Sequence, residues 1–424
     1  MTNLLIQGGS VLTPDGPLAA DVVVNRGVVA EIGAGLSGER VIDARGMWVG
    51  PGLVDIHVHF REPGQEWKED ISTGSAAAAA GGFTAVCVMP NTVPAVDTAA
   101  RARYIADRGA EVGLVDVVPV GCITEGRAGK RLADVAGMWD AGVRMFSDDG
   151  DSVADAGLMR SVFDLLAARG GVVSQHAEDR GLAGGGHMHE GEVSSRLGVP
   201  GLPAVAEEVV VARDLALVRF TGCRYHVQHV STAGTVELVR RAKAEGLPVT
   251  AEVTPHHLSF TDSDAGSLDP DYKMYPPLRS ADDVAAVRRA LVDGTIDVVA
   301  TDHAPHGPEE SDVAFVLAPR GVIGVETSVA AVLETTGLDQ ATLYERMSIA
   351  PARIAGLGGH GHHLAVGAPA HITVIDPRAR WTVERFRSRS HNSPWKGRTM
   401  TGRVVATIRR GSLSHLVEGA TRAG

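Results

Sequence analysis

The chain has 424 residues, and its 44% hydrophobic and 21% charged content describes a folded globular protein rather than a disordered one. A formal charge of −11 argues against a nucleic-acid binder, which needs a basic face for phosphates, but leaves room for a small anion held by a local arginine. Three scattered cysteines (Cys87, Cys122, Cys223) read as reduced thiols; with no signal-peptide pattern and no run near ~20 apolar residues, the expectation is a cytoplasmic protein without membrane contact.

The first ~50 residues alternate in short apolar bursts, at 4–6, 22–24 and 28–29, broken by Gly and Asp-Gly turns. The same texture returns at 370–375 and 402–407. Residues 1–50 and 366–424 are therefore expected to assemble one small β-sandwich domain from both chain ends. Between them, over 51–365, the rhythm becomes strand, loop, helix. Strand candidates fall at 54–59, 83–89, 115–121, 143–146, 171–176, 225–229, 248–253 and 297–300. Helical stretches at 75–80, 158–168, 206–218 and 284–291 separate several of them. About eight such units predict a parallel sheet closed into a (β/α)8 TIM-type barrel, with a doubly wound open sheet as the competing arrangement. The Gly-rich stretch carrying His360, His362 and His363 reads as a loop rather than a metal site, and Met145 and Phe146 read as core.

The chemistry concentrates at strand ends. In Asp55-Ile56-His57-Val58-His59-Phe60-Arg61, residues two apart share a strand face, so His57 and His59 point together while Ile56, Val58 and Phe60 point away. The fourth strand runs into Asp148-Asp149, the fifth ends at His176, the sixth at His229 and the eighth in Asp302-His303-Ala304-Pro305-His306. In a barrel these ends share one mouth. Four histidines and two aspartates there form a nitrogen and oxygen ligand set suited to two divalent ions, Zn²⁺ first. Asp148, on the opposite face from Asp149, is expected to be structural. His226, His256, His257 and His303 are expected to support or pack, since Asp302 and His303 cannot both face the axis of a regular strand.

These motifs, with Gly81-Gly82-Phe83-Thr84, Met89-Pro90-Asn91-Thr92, Gln175-His176-Ala177-Glu178, Gln228-His229-Val230-Ser231 and Glu252-Val253-Thr254-Pro255, resemble the class I dihydroorotases of the amidohydrolase superfamily across nearly the whole chain. The resemblance implies that His57, His59 and Asp302 hold one metal, His176 and His229 the second, and that Asp149 bridges them. It implies that Asp302 is the catalytic acid/base and that Arg61, Asn91 and His306 hold a substrate carboxylate. The implied reaction closes N-carbamoyl-L-aspartate to L-dihydroorotate, reversibly, through a hydroxide shared by the metals, whose pKa falls from 15.7 towards ~7. The likeness further implies a homodimer and a possible association with aspartate transcarbamoylase.

Two places depart from the family pattern. Tyr275 stands where relatives carry an Asn close to the substrate, and Glu310-Ser311 replaces an acidic residue followed by Lys in the mouth loop 307–316. Two other readings stay open: a sister cyclic-amide hydrolase acting on dihydropyrimidines, hydantoins or allantoin, and a non-catalytic partner subunit of aspartate transcarbamoylase.

Overall fold

The computed structural model describes residues 3–423. Five strands open the chain: β1 (Leu4–Thr13), β2 (Gly16–Asn25), β3 (Val28–Gly33), β4 (Arg40–Asp43) and β5 (Trp48–Pro51). β6 (Leu53–Val58), β7 (Phe83–Val88) and β8 (Asp116–Pro119) then form one parallel ladder. β9 (Met145–Phe146) and β10 (Val172–Gln175) begin a second. After the short pair β11 (Met188–His189) and β12 (Gly201–Leu202), it continues through β13 (Arg224–Val227), β14 (Val249–Val253) and β15 (Val298–Val299), again all parallel. Two parallel bridges join the ladders. Gly121 pairs with Phe146 between β8 and β9, and His303, just past β15, pairs with Val58 of β6. The pairing order of these eight strands thus returns to its start.

Helices form the crossovers that parallel strands require. They are α1 (Ile71–Ala80), α2 (Ala99–Val112), α3 (Val135–Asp140), α4 (Ala156–Ala167), α5 (Val205–Thr221), α6 (Ala233–Ala244) and α7 (Ala281–Asp293), with α8 (Ser328–Thr336) after the last strand. In α4 the Asp155 side chain caps the first turn by accepting from Leu158 N. Met159, Val162, Phe163 and Leu166 then recur at helical spacing and are all buried. α1 opens with a capping box between Asp70 and Thr73, and its Gly74 lies so close to Phe60 that a Cβ would sit 2.5 Å from the ring. With helices on their outer side, the central strands are mostly apolar and fully covered: every residue of β6 and β7 is buried, the polar Asp55, His57 and Thr84 included.

The chain ends with β16 (Ile372–Thr382), β17 (Thr399–Arg409), β18 (Ser412–Leu416) and β19 (Thr421–Ala423). These join β1 to β5 in one nine-stranded sheet of both chain ends, in which β16 pairs with β5 and β19 with β4. β1 serves two neighbours on one side, β4 along Leu4–Gln7 and β5 at Ser10 and Val11. Ile6, Val22, Ile42, Val49, Ile372, Val374, Ala406 and Ile408 share one apolar core. The strands are shorter than sequence spacing suggests, notably at β9 and β15.

Candidate active site

His57 lies on β6, and every other candidate ligand follows a strand's C-terminal end. His59 lies just past β6, Asp149 past β9, His176 past β10, His229 past β13 and Asp302 past β15. Asp302 and His229 both take positive φ, 46° and 30°, which turns their side chains out of strand register.

The six converge. His57 Nε2 is 3.4 Å from Asp149 Oδ1 and 3.4 Å from Asp302 Oδ1. His59 Nε2 is 2.9 Å from Asp302 Oδ1 and 3.4 Å from Asp149 Oδ2. On the other side His176 Nδ1 and His229 Nε2 are 2.9 Å apart, each 3.7 Å from Asp149 Oδ1. Asp149 thus stands between the two histidine pairs. Potential ligand atoms fall within 4.8 Å of one another in three overlapping groups: His57, His59 and Asp149; His57, His229 and Asp302; Asp149, His176 and His229.

The donor set fits divalent cations. His57 Nε2 and Asp149 Oδ1 are buried without a hydrogen-bond partner, a costly state for polar atoms that an ion would relieve. His57 Nδ1 bonds Glu252 Oε1 at 2.5 Å, and His59 Nδ1 bonds Asn91 Oδ1 at 2.8 Å. Both acceptors are oxygens, so each imidazole donates through Nδ1 and presents the Nε2 lone pair to the cluster. Burial, with His229 alongside, pushes His176 down to about 3 and keeps it neutral, the form that ligates metal. Burial works against charge on His57 as well, but Glu252, Asp149 and Asp302 outweigh it and raise that imidazole well above its ordinary range, so a cation taking Nε2 displaces a proton from it.

Beside the cluster is a cavity of about 140 Å³ whose wall includes Arg61, Asn91, Tyr275, His306 and Arg320. Arg61 is buried, with positive φ and its Nε donating to Pro305 O. Burial lowers it to about 10, so it stays charged at neutral pH. His306 is fixed by its N–H to Asn392 Oδ1 and by Nε2 to Arg320 O, leaving Nδ1 without a hydrogen-bond partner. The Tyr275 hydroxyl donates to Glu178, its ring lies 4.5 Å from that of His176, and the Arg320 guanidinium sits 4.4 Å above it. Every candidate site residue except His57, which is buried within the cluster, thus lines one cavity.

The supporting residues divide as expected. Asp148 turns away, accepting from Ile123 N, Thr124 N and the Thr124 hydroxyl. His303 faces Glu69, His226 bonds Glu252, and His257 bonds Thr254 and Pro276 O. His360 lies in a loop, where it pairs with Asp116. Sequence reasoning places Glu252 and Glu178 in motifs without giving them a role, and it misses Arg320. A lone acid inside the apolar β14 was a usable signal for Glu252, because a buried charge needs a partner. Arg320 sits in a loop, and no local pattern marks it.

Among solved structures, the chain is similar to an L-hydantoinase (dihydropyrimidinase) from Arthrobacter aurescens, with a TM-score of 0.86 and 29% identity over 97% of this chain and 96% of that one. A D-hydantoinase (dihydropyrimidinase) from Thermus sp. gives 0.83 and 25% over 98% and 96%. Fold and site thus place the protein among α/β enzymes resembling cyclic-amide hydrolases. Residues 46–235 match the family model described as dihydro-orotase-like. Relatives named dihydroorotase are 49% identical in Pelobacter propionicus, over 96% of this chain and 98% of that protein, and 47% identical in Streptomyces coelicolor, over 99% of each. The chain belongs to the dihydroorotase family.

Proposed function

We propose that this protein is a dihydroorotase, interconverting N-carbamoyl-L-aspartate and L-dihydroorotate plus water on a (β/α)8 barrel (residues 51–365). A β-sandwich of residues 1–50 and 366–424 would brace it. The cyclic pairing order of the eight parallel strands supports the barrel, and the division of one edge of β1 between β4 and β5 supports the sandwich. The observation that carries the substrate is the buried, charged Arg61 in the wall of the same cavity as Asp149 and Asp302. A fixed planar guanidinium suits a carboxylate, and Asn91 and His306 add polar contacts on the same wall.

His57, His59 and Asp302 would hold one Zn²⁺ and His176 and His229 the other, with Asp149 between them. Divalent ions held there would supply Lewis-acid polarisation of the amide carbonyl and a lowered pKa for a water. Asp302 takes the proton of the attacking water and delivers it to the departing ring nitrogen. Arg61, Asn91 and His306 hold the carboxylate and aim the ring's amide carbonyl at the cluster. Burial of these groups keeps water away from the charges.

A cytoplasmic site of action is consistent with the finding that no described helix is long and apolar enough to cross a membrane. The homodimer and the association with aspartate transcarbamoylase rest on the family resemblance.

One observation favours a second reading, a hydantoinase-type activity: Tyr275 and Arg320 reshape the wall next to His176. A spectrophotometric assay of Zn²⁺-loaded protein with L-dihydroorotate, 5,6-dihydrouracil, hydantoin and allantoin separates the two. Selective turnover of dihydroorotate is the expected result. Turnover of a neutral ring with none of dihydroorotate would overturn it.

A further inference from the structure

A cavity of about 330 Å³, more than twice the volume of the catalytic one, lies between α1, the Glu326 loop and the outer strands of the terminal sheet. It shares no lining residue with the catalytic cavity. Its size is that of an ordinary small-molecule site, and it sits where the two parts of the chain meet, a usual place for one.

Its walls combine two kinds of group. Trp381, near the end of β16, and Phe386 supply flat apolar surface, and the Trp381 ring is held by its Nε1 donating to Gly402 O. Arg385, Arg387 and Arg403 supply three guanidinium groups, none paired with a carboxylate among the described residues. Elsewhere in the chain Arg127, Arg180, Arg219, Arg389 and Arg409 each pair with an acid. The one acid in the wall, Glu326, is already bonded to the backbone N–H groups of Arg387 and Ser388. Burial first, then its neighbour Glu69, raise it to about 7, which weakens its negative charge at neutral pH. His415 lines the same space, where burial first, then Arg387 and Arg403, push it down to about 4 and leave it neutral at pH 7.

We propose that this cavity is a second ligand site that takes a nucleotide, its base against Trp381 and Phe386 and its phosphate on Arg385, Arg387 and Arg403. Guanidinium forks pair phosphate oxygens two at a time, and aromatic faces bind any base by stacking. A metal cation is disfavoured by the same three positive charges.

The test is calorimetric titration of the full-length, Zn²⁺-loaded protein with UMP, AMP and inorganic phosphate. Saturable micromolar binding of a nucleotide is expected, at least tenfold weaker for the Arg387→Ala/Arg403→Ala variant and unchanged for Arg61→Ala in the catalytic cavity. Both arginines are exposed, so that double variant keeps its fold; Trp381→Leu supplies an independent loss of at least fivefold. Three results would overturn the proposal: no nucleotide binding below millimolar concentration, binding lost in Arg61→Ala but not in the double variant, or phosphate bound as tightly as UMP. The titration needs no turnover, so its outcome is independent of the catalytic assignment.

Discussion

Glu252 Oε1 lies 2.5 Å from His57 Nδ1, and its other oxygen lies 2.9 Å from His226 Nε2, so one buried carboxylate on β14, two strands from β6 in the pairing order, orients a candidate metal ligand. Burial opposes its ionisation, yet His57 and His226 hold it down to about 2. Glu252→Ala should therefore weaken metal binding by roughly 10–100-fold, the usual effect of losing a partner behind a ligand. Competition with a chromogenic chelator measures this directly. Affinity equal to that of the unmodified protein would show that His57 needs no such support.

Asp302 is predicted to serve as ligand and proton carrier at once. Asp302→Ala should lower kcat by about 10²–10⁴-fold or more while leaving the melting temperature nearly unchanged. Steady-state kinetics alongside thermal unfolding decide it. Comparable turnover in the variant would remove Asp302 from the mechanism.

Tyr275 carries Arg320 on its ring and bonds Glu178 through its hydroxyl. Tyr275→Phe keeps the ring and should change KM for dihydroorotate by less than about threefold. Tyr275→Ala removes the platform, worth about 1 kcal/mol as a cation–π contact, and should raise KM several-fold with a smaller change in kcat. If the two variants behave alike, the ring contact contributes nothing to binding.

Asp116 ties the body to the terminal sheet. It accepts from Arg409, Arg410 and His360, whose ring lies 4.0 Å from that of His371. Burial would raise its pKa, but His360 and Arg409 overcome that and hold it below the usual carboxylate range. A depressed folded pKa means stability that is present above the unfolded value of about 4 and is lost as the pH falls from there through the lower folded value. Asp116→Asn should cost about 2 kcal/mol at pH 7 and progressively less below pH 4. Melting curves at pH 7 and pH 3.5 check both halves; an equal deficit at the two pH values would mean that the loss is one of packing rather than of charge.

His57 and His59 were legible because strand period alone puts them on one face, and Asp148 could be separated from Asp149 by the same rule. The Asp302-His303 pair was legible as a conflict. A regular strand cannot aim both residues inward, and the chain resolves this by leaving β15 at Val299 and placing Asp302 at φ 46°. His360 lies in a loop, as its Gly-rich surroundings predict, but its pairing with Asp116, 244 residues away, has no local signature.

What the sequence by itself determined, then, is local: which segments are strands, which side chains share a face, and which chemically apt residues stand at strand ends. Periodicity and residue type encode these within a few neighbours. Tertiary structure alone decided that Glu252 stands behind His57, that Arg320 lies over Tyr275, and that Arg385, Arg387 and Arg403 surround one cavity. Those contacts join residues far apart along the chain. Their distances follow from how strands and helices pack rather than from any local pattern, which is why only the folded chain reveals them.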